Sequence, residues 1–133
     1  EGEEGNGLHA RQGLRELEKG LAADVMVSTD IGNINSVAHS YLRFERPRSF
    51  FAPMSFGNCG YALPVMIVAK TASPERPAVA YAGDGAWAMS MTEIMTSVRH
   101  NLPVTAVGFH NRQWCSETNN HVESYHRRFA AAE

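Results

Sequence analysis

The sequence lacks most of the features that would take it out of the ordinary globular class. No run of about 18 or more apolar residues occurs, so no membrane-spanning helix is implied. Formal net charge is only −2, which gives no electrostatic ground for a nucleic-acid partner or an anionic membrane. Cysteine is scarce. Cys59 and Cys115 show no CxxC spacing and read as reduced thiols of a cytoplasmic protein. The histidines His9, His39, His100, His121 and His126 show no HxxxH spacing, which argues against a zinc site. There is no internal repeat. The acidic, Gly-rich start, Glu1 to Gly7, has no basic stretch followed by an apolar one, so it does not read as a signal peptide.

What remains is one domain's worth of chain. Its 133 residues, 44% of them hydrophobic, suffice to bury a single core. Residues 1–7 read as a lead-in and 8–133 as the domain. The chain opens on Glu1, and Arg127 to Glu133 resembles a helix in progress with no Pro or Gly to stop it. The expectation is a piece of a longer protein, truncated at its C-terminal end.

Hydrophobic spacing predicts a helix over His9 to Leu21, where Leu14, Leu17 and Leu21 recur on one face, with Gly20 interrupting near its end. Val25 to Ser28 reads as a buried strand, Asp30 to Asn35 as turns, Ser36 to Leu42 as a helix and Ser49 to Ala52 as a short strand. Met54 to Gly60 reads as a loop. Tyr61 to Lys70 is a nearly all-apolar helix with Pro64 in its first turn. Ala78 to Ala82 is a strand. Ser90 to His100 is a helix whose start is fixed by a capping box, Ser90-x-x-Glu93, and Asn101-Leu102-Pro103 stops it. Val104 to Phe109 is the next strand. Strand, helix, strand at this spacing is a βαβ unit, so the fold class is α/β: an open, mostly parallel sheet flanked by helices.

Ligands of open α/β sheets bind at the carboxyl ends of the strands. Two polar clusters fall there, Gly83-Asp84-Gly85 after one strand and His110-Asn111-Arg112-Gln113 after the next. With the strands adjacent, Asp84 and Asn111 lie side by side. A carboxylate and an amide oxygen suit a hard cation that keeps part of its shell for phosphate. Gly83 and Gly85 permit a tight turn and close approach of a ligand. Amides after Gly85 are placed to face an anion. These residues point to Mg2+ plus a diphosphate. Gly-Asp-Gly by itself is equally ordinary turn chemistry.

Gly83-Asp84-Gly85, then 25 residues, then Asn111 resembles the cofactor motif of the thiamine-diphosphate (ThDP) enzymes, such as acetohydroxyacid synthases and pyruvate oxidases. The resemblance implies that Asp84, Asn111 and the carbonyl of Gln113 hold Mg2+. It departs from the motif at His110, where Asn is usual. Gly57-Asn58-Cys59-Gly60-Tyr61-Ala62-Leu63-Pro64 resembles the family's pyrimidine-contacting segment. There the Gly57 carbonyl and the Cys59 side chain would meet the aminopyrimidine, with Cys59 smaller than the usual Met, Leu or Ile. Gly32, Asn33 and Asn35 fall where the family contacts diphosphate, and Ala86, Trp87 and Trp114 flank the motif.

Ser28 to Ala38, Ser40 to Glu45, Met54 to Ala62 and Phe109 to Trp114 are most similar to one acyltransferase branch of the family. That branch implies sulfoacetaldehyde and phosphate as substrates, and acetyl phosphate and sulfite as products. Cys115 to His121 matches less well. The family also implies a homodimer or homotetramer, and a separate pyrimidine-binding domain that brings an activating glutamate. No segment here matches that one, so the chain by itself is expected to be inactive. Glu93 is already assigned to the capping box. His110 borders the metal site, and Arg112 is a candidate for a sulfonate or phosphate oxygen. An acetohydroxyacid-synthase-like or pyruvate-oxidase-like enzyme stays open, as does a non-catalytic Mg2+/diphosphate-binding module.

Overall fold

The computed structural model describes residues 10–129. The lead-in 1–7 and the last four residues lie outside them.

Helix α1 (Ala10–Lys19) leads into strand β1 (Met26–Thr29), followed by α2 (Asn33–Tyr41), β2 (Phe50–Phe51), α3 (Ala62–Ala72) and β3 (Ala78–Gly83). Then come α4 (Asp84–Ser90), a 3-10 turn (Met91–Glu93), α5 (Ile94–Arg99), β4 (Thr105–Phe109) and α6 (Cys115–Ser124). The four strands form one parallel sheet in the order β2-β1-β3-β4. Val27 lies beside Phe50 and Val79, and Gly83 beside Phe109.

All four residues of β1 are buried, as expected of a central parallel strand covered on both faces. Alternate side chains feed two cores. Met26, Ala78 and Ala80 pack with Leu63, Met66 and Ile67 of α3. Val27, Val79 and Tyr81 pack on the other face with Leu14 of α1 and with Ile34 and Ala38 of α2. Strand β4 is an edge, and Thr105, Ala106 and Gly108 are exposed on it.

The chain leaves β1 toward β2 on one side, then crosses back so that β3 lies on the other side of β1. The order therefore reverses between β1 and β3. A crevice outside the carboxyl ends of these two strands is where such a sheet takes a ligand.

Two local expectations are corrected. Helix α2 starts at Asn33, three residues before the expected Ser36, because the turn at Gly32 is short. The helix expected over Ser90 to His100 is a 3-10 turn followed by α5, and a separate helix, α4, runs into it. α4 begins directly at Asp84, and its last residue, Ser90, is buried and makes no capping bond. Glu93 is not the partner of Ser90, for its Oε2 accepts from Thr96 Oγ1 at 2.8 Å. The Ser-x-x-Glu pattern is therefore coincidental. Strand β3 already delivers the chain into helical geometry at Asp84, which leaves no free helix start at Ser90 to be capped.

Tyr81 is fully buried and its hydroxyl finds no hydrogen-bond partner among the described residues. Burial pushes the phenol up to about 12. The ring meets Phe109 edge-on at 6.1 Å. An unsatisfied buried hydroxyl costs about 1–3 kcal/mol, so Tyr81→Phe is expected to leave stability unchanged or raise it by about 1 kcal/mol. Thermal denaturation checks this, and a clearly lower midpoint would reveal a partner for the hydroxyl.

Candidate functional site

A cavity of about 500 Å3 opens at the reversal point of the sheet. Four stretches wall it: Ile31 to Ile34 after β1, Gly57 and Cys59 before α3, Gly83 to Ala86 at the end of β3, and, at the end of β4, Phe109 to Glu117 without Arg112. A larger cavity, about 610 Å3, lies between α3 and β2, beside Phe51, Val65 and Val68. It contains none of the motif residues.

Asp84 organises the first cavity. Because β3 and β4 are parallel neighbours ending in register at Gly83 and Phe109, the carboxylate meets the loop that follows β4. Its Oδ2 accepts from the amides of Arg112 at 2.8 Å and Asn111 at 3.2 Å, and lies 2.9 Å from His110 Nδ1. Its Oδ1 accepts from the Gly85 amide at 3.0 Å. Burial pushes the Asp84 carboxyl upward. The amides of Arg112, Gly85 and Asn111 and the His110 ring outweigh that and hold it below the usual carboxylate range. Its grip on the loop is thus fully present at neutral pH and is lost only as pH falls through the lowered folded value.

The donors fit a hard cation. Asp84 Oδ1 carries a single hydrogen bond and keeps a lone pair. Asn111 Oδ1 accepts only a long bond from the Gln113 amide, 3.3 Å. Among the described residues no three His, Cys, Asp or Glu side chains gather at one point. A metal here would take carboxylate, amide and carbonyl oxygens, which suit Mg2+ better than zinc.

Gly85 lies against Trp114. A Cβ on it would come within 2.9 Å of the indole ring. Gly83 has open space around it, so its small size is not needed there. Across the cavity, Ser116 Oγ donates to Asn33 Oδ1 at 3.1 Å and ties α6 to the start of α2. The Cys59 thiol is pushed up by burial, then by Asp30 and Glu117.

Of the residues expected from the sequence, Gly32, Asn33, Gly57, Cys59, Gly83, Asp84, Gly85, Ala86, Asn111, Gln113 and Trp114 line the cavity. Three do not. Asn35 is buried on the inner face of α2, Asn58 is exposed on its loop, and Trp87 packs against the core on the α3 side. His110 is in the wall, whereas Arg112 is exposed and outside it. Sequence reasoning did not assign Ile31, Ile34, Val37, Phe109, Cys115, Ser116 or Glu117, which also line the cavity. The last two follow the metal motif directly, and that position was their only signal.

A family model described as thiamine pyrophosphate enzyme, C-terminal TPP binding domain, matches residues 30–133. The chain is 73% identical over 131 residues, 98% of its length, to the sulfoacetaldehyde acetyltransferase of Castellaniella defragrans. It is 74% identical over 129 residues, 97% of its length, to that of Alcaligenes xylosoxydans xylosoxydans. Pyruvate oxidase of Lactiplantibacillus plantarum is 36% identical over 107 residues, 80% of the chain. The matches cover 22%, 21% and 18% of these proteins, so the chain spans about a fifth of their length.

Proposed function

Because the chain belongs to the thiamine pyrophosphate enzymes, as their C-terminal TPP-binding domain, we propose that it builds the diphosphate and Mg2+ half of a ThDP site in an acyltransferase. The enzyme converts sulfoacetaldehyde and phosphate to acetyl phosphate and sulfite. The observation that carries the site is Asp84, held by the loop after β4 inside a cavity at the sheet's reversal point. The similarity to two sulfoacetaldehyde acetyltransferases supports the substrates.

In this reading Asp84, Asn111 and the Gln113 carbonyl would hold Mg2+, whose charge would offset that of the diphosphate. Gly32 and Asn33 bound the diphosphate from the β1 side. Gly57 and Cys59 face the pyrimidine end, and the raised thiol keeps Cys59 neutral and apolar there. Trp114, packed on Gly85, shields the site from water. The cofactor, when bound, supplies the nucleophilic carbon and the electron sink.

The activating glutamate belongs to a pyrimidine-binding domain of the same or a neighbouring subunit, in a homodimer or homotetramer. Met89, Met91, Met95 and Val98 are exposed along α4, the 3-10 turn and α5, and a face of this kind favours a packing partner. No helix among the described residues is long and apolar enough to cross a membrane.

The test is an assay of the full-length protein with ThDP and Mg2+. Phosphate-dependent sulfite release from sulfoacetaldehyde is expected, with no turnover of pyruvate. Pyruvate decarboxylation without sulfite release would favour the pyruvate enzymes instead.

A further inference from the structure

Asp30 is completely buried at the end of β1, and nothing in the proposed metal or diphosphate chemistry uses it. Its backbone is fixed, since its amide donates to the Tyr81 carbonyl at 2.8 Å across the reversal point. Its side chain reaches 30 residues onward. Oδ1 accepts from the Gly60 amide at 3.0 Å, and from its neighbour Ile31 at 3.1 Å. Oδ2 accepts from the Ala62 amide at 2.9 Å. Two positions back, buried Ser28 donates through Oγ to the Ala62 carbonyl at 2.7 Å.

Both backbone groups of Ala62 are therefore held by side chains of β1. Tyr61, at the N-cap position of α3, makes no side-chain capping bond, and Asp30 satisfies the helix's first amide, that of Ala62, in its place. Gly60 is confined from the other side. Its φ is +78°, and a Cβ there would lie 3.2 Å from that of Met89 on α4. The loop carrying Gly57 and Cys59 thus ends in a residue wedged between β1 and α4. A carboxylate suits this point because three N–H donors converge on it. An amide side chain would turn one donor of its own toward them.

We propose that Asp30 is a positioning residue that clamps the Gly57–Gly60 loop to the end of β1 and so sets where the pyrimidine end of the cofactor is held. This rests on the cofactor reading above, and it assigns Asp30 to the pyrimidine side rather than to the metal side. Asp84 and the loop after β4 are held independently of it.

The test uses Asp30→Asn in the full-length protein. Without cofactor, amide hydrogen exchange at Gly60 and Ala62 is expected to speed up by about 10- to 100-fold, while Ala80 and Ala82 in β3 stay unchanged. With Mg2+ present, ThDP affinity is expected to fall by about tenfold and inorganic pyrophosphate affinity to change by less than about twofold. Unchanged exchange at Gly60 and Ala62 overturns the clamp. Equal weakening of both ligands overturns its assignment to the pyrimidine side, because a purely structural role would lower the two together. If the variant does not fold, Ser28→Ala removes the other tie and keeps the carboxylate. The same pattern at smaller size is then expected, and an unaltered ratio of the two affinities counts against the proposal. If the unsubstituted protein binds neither ThDP nor pyrophosphate, the cofactor reading has failed, and exchange at Gly60 and Ala62 still decides the clamp.

Discussion

Asp84→Ala abolishes Mg2+-dependent ThDP binding by the full-length enzyme, with affinity expected to fall by more than about 100-fold. Two losses combine. In the proposed site Asp84 is the one carboxylate among the described residues offered to Mg2+, and loss of even an outer-shell partner typically costs 10- to 100-fold in metal affinity. The amides of Asn111 and Arg112 also lose the acceptor that docks their loop, so Asn111 and Gln113 are no longer presented to the metal. Charge-assisted bonds of this kind are each worth about 1.5–3 kcal/mol. Calorimetric titration with ThDP at fixed Mg2+ is the measurement. An affinity equal to that of the unsubstituted enzyme would remove Asp84 from the metal site. Asp84→Asn separates the two losses, because it keeps an acceptor oxygen for the loop while discarding the charge.

Gly85→Ala is the second large effect, and it comes through Trp114. Inside a helix, Ala is favoured over Gly by roughly 0.5–1 kcal/mol, so local propensity predicts a gain. Packing opposes it. The new methyl would lie 2.9 Å from Trp114 Cε2, 3.0 Å from Cζ2 and 3.2 Å from Cδ2, and a rigid indole has no flexible end to yield. Overpacking of this kind costs about 1–3 kcal/mol, so the clash wins. The ring must swing away. Trp114 also begins α6, and its carbonyl accepts from the Thr118 amide at 2.8 Å, so Cys115, Ser116 and Glu117 move with it. ThDP affinity is expected to fall by about tenfold or more, since displacements of about 1 Å can cost 100-fold at a site. The difference in indole emission between the protein and its Trp114→Phe variant isolates the Trp114 signal, and a red shift of that difference on Gly85→Ala reports the ring's exposure. Wild-type affinity with unshifted emission would show that the helix simply absorbs the methyl.

The sequence by itself determined the fold class, the strands and the polar clusters at the ends of β3 and β4. These are local or nearly local properties. Apolar runs of strand length bounded by Gly and Pro identify strands wherever they pack. A βαβ unit brings its two strand ends together within about 30 residues, so Asp84 and Asn111 meet as their spacing requires. The Ser90 to Glu93 pattern misled for the converse reason. A capping box describes a helix start only where the chain enters the helix from outside, and here α4 had already begun at Asp84. Tertiary structure alone decided the rest. The pairing of β1 with β3 puts the order reversal, and hence the cavity, between residues about 50 apart. The reach of Asp30 to Gly60 and Ala62, and the tie between Ser116 and Asn33, join segments whose sequences carry no mark of each other. Hydrophobic periodicity records which face of an element is buried. It does not record which distant backbone amide a buried carboxylate will find, because that depends on the docking of whole elements.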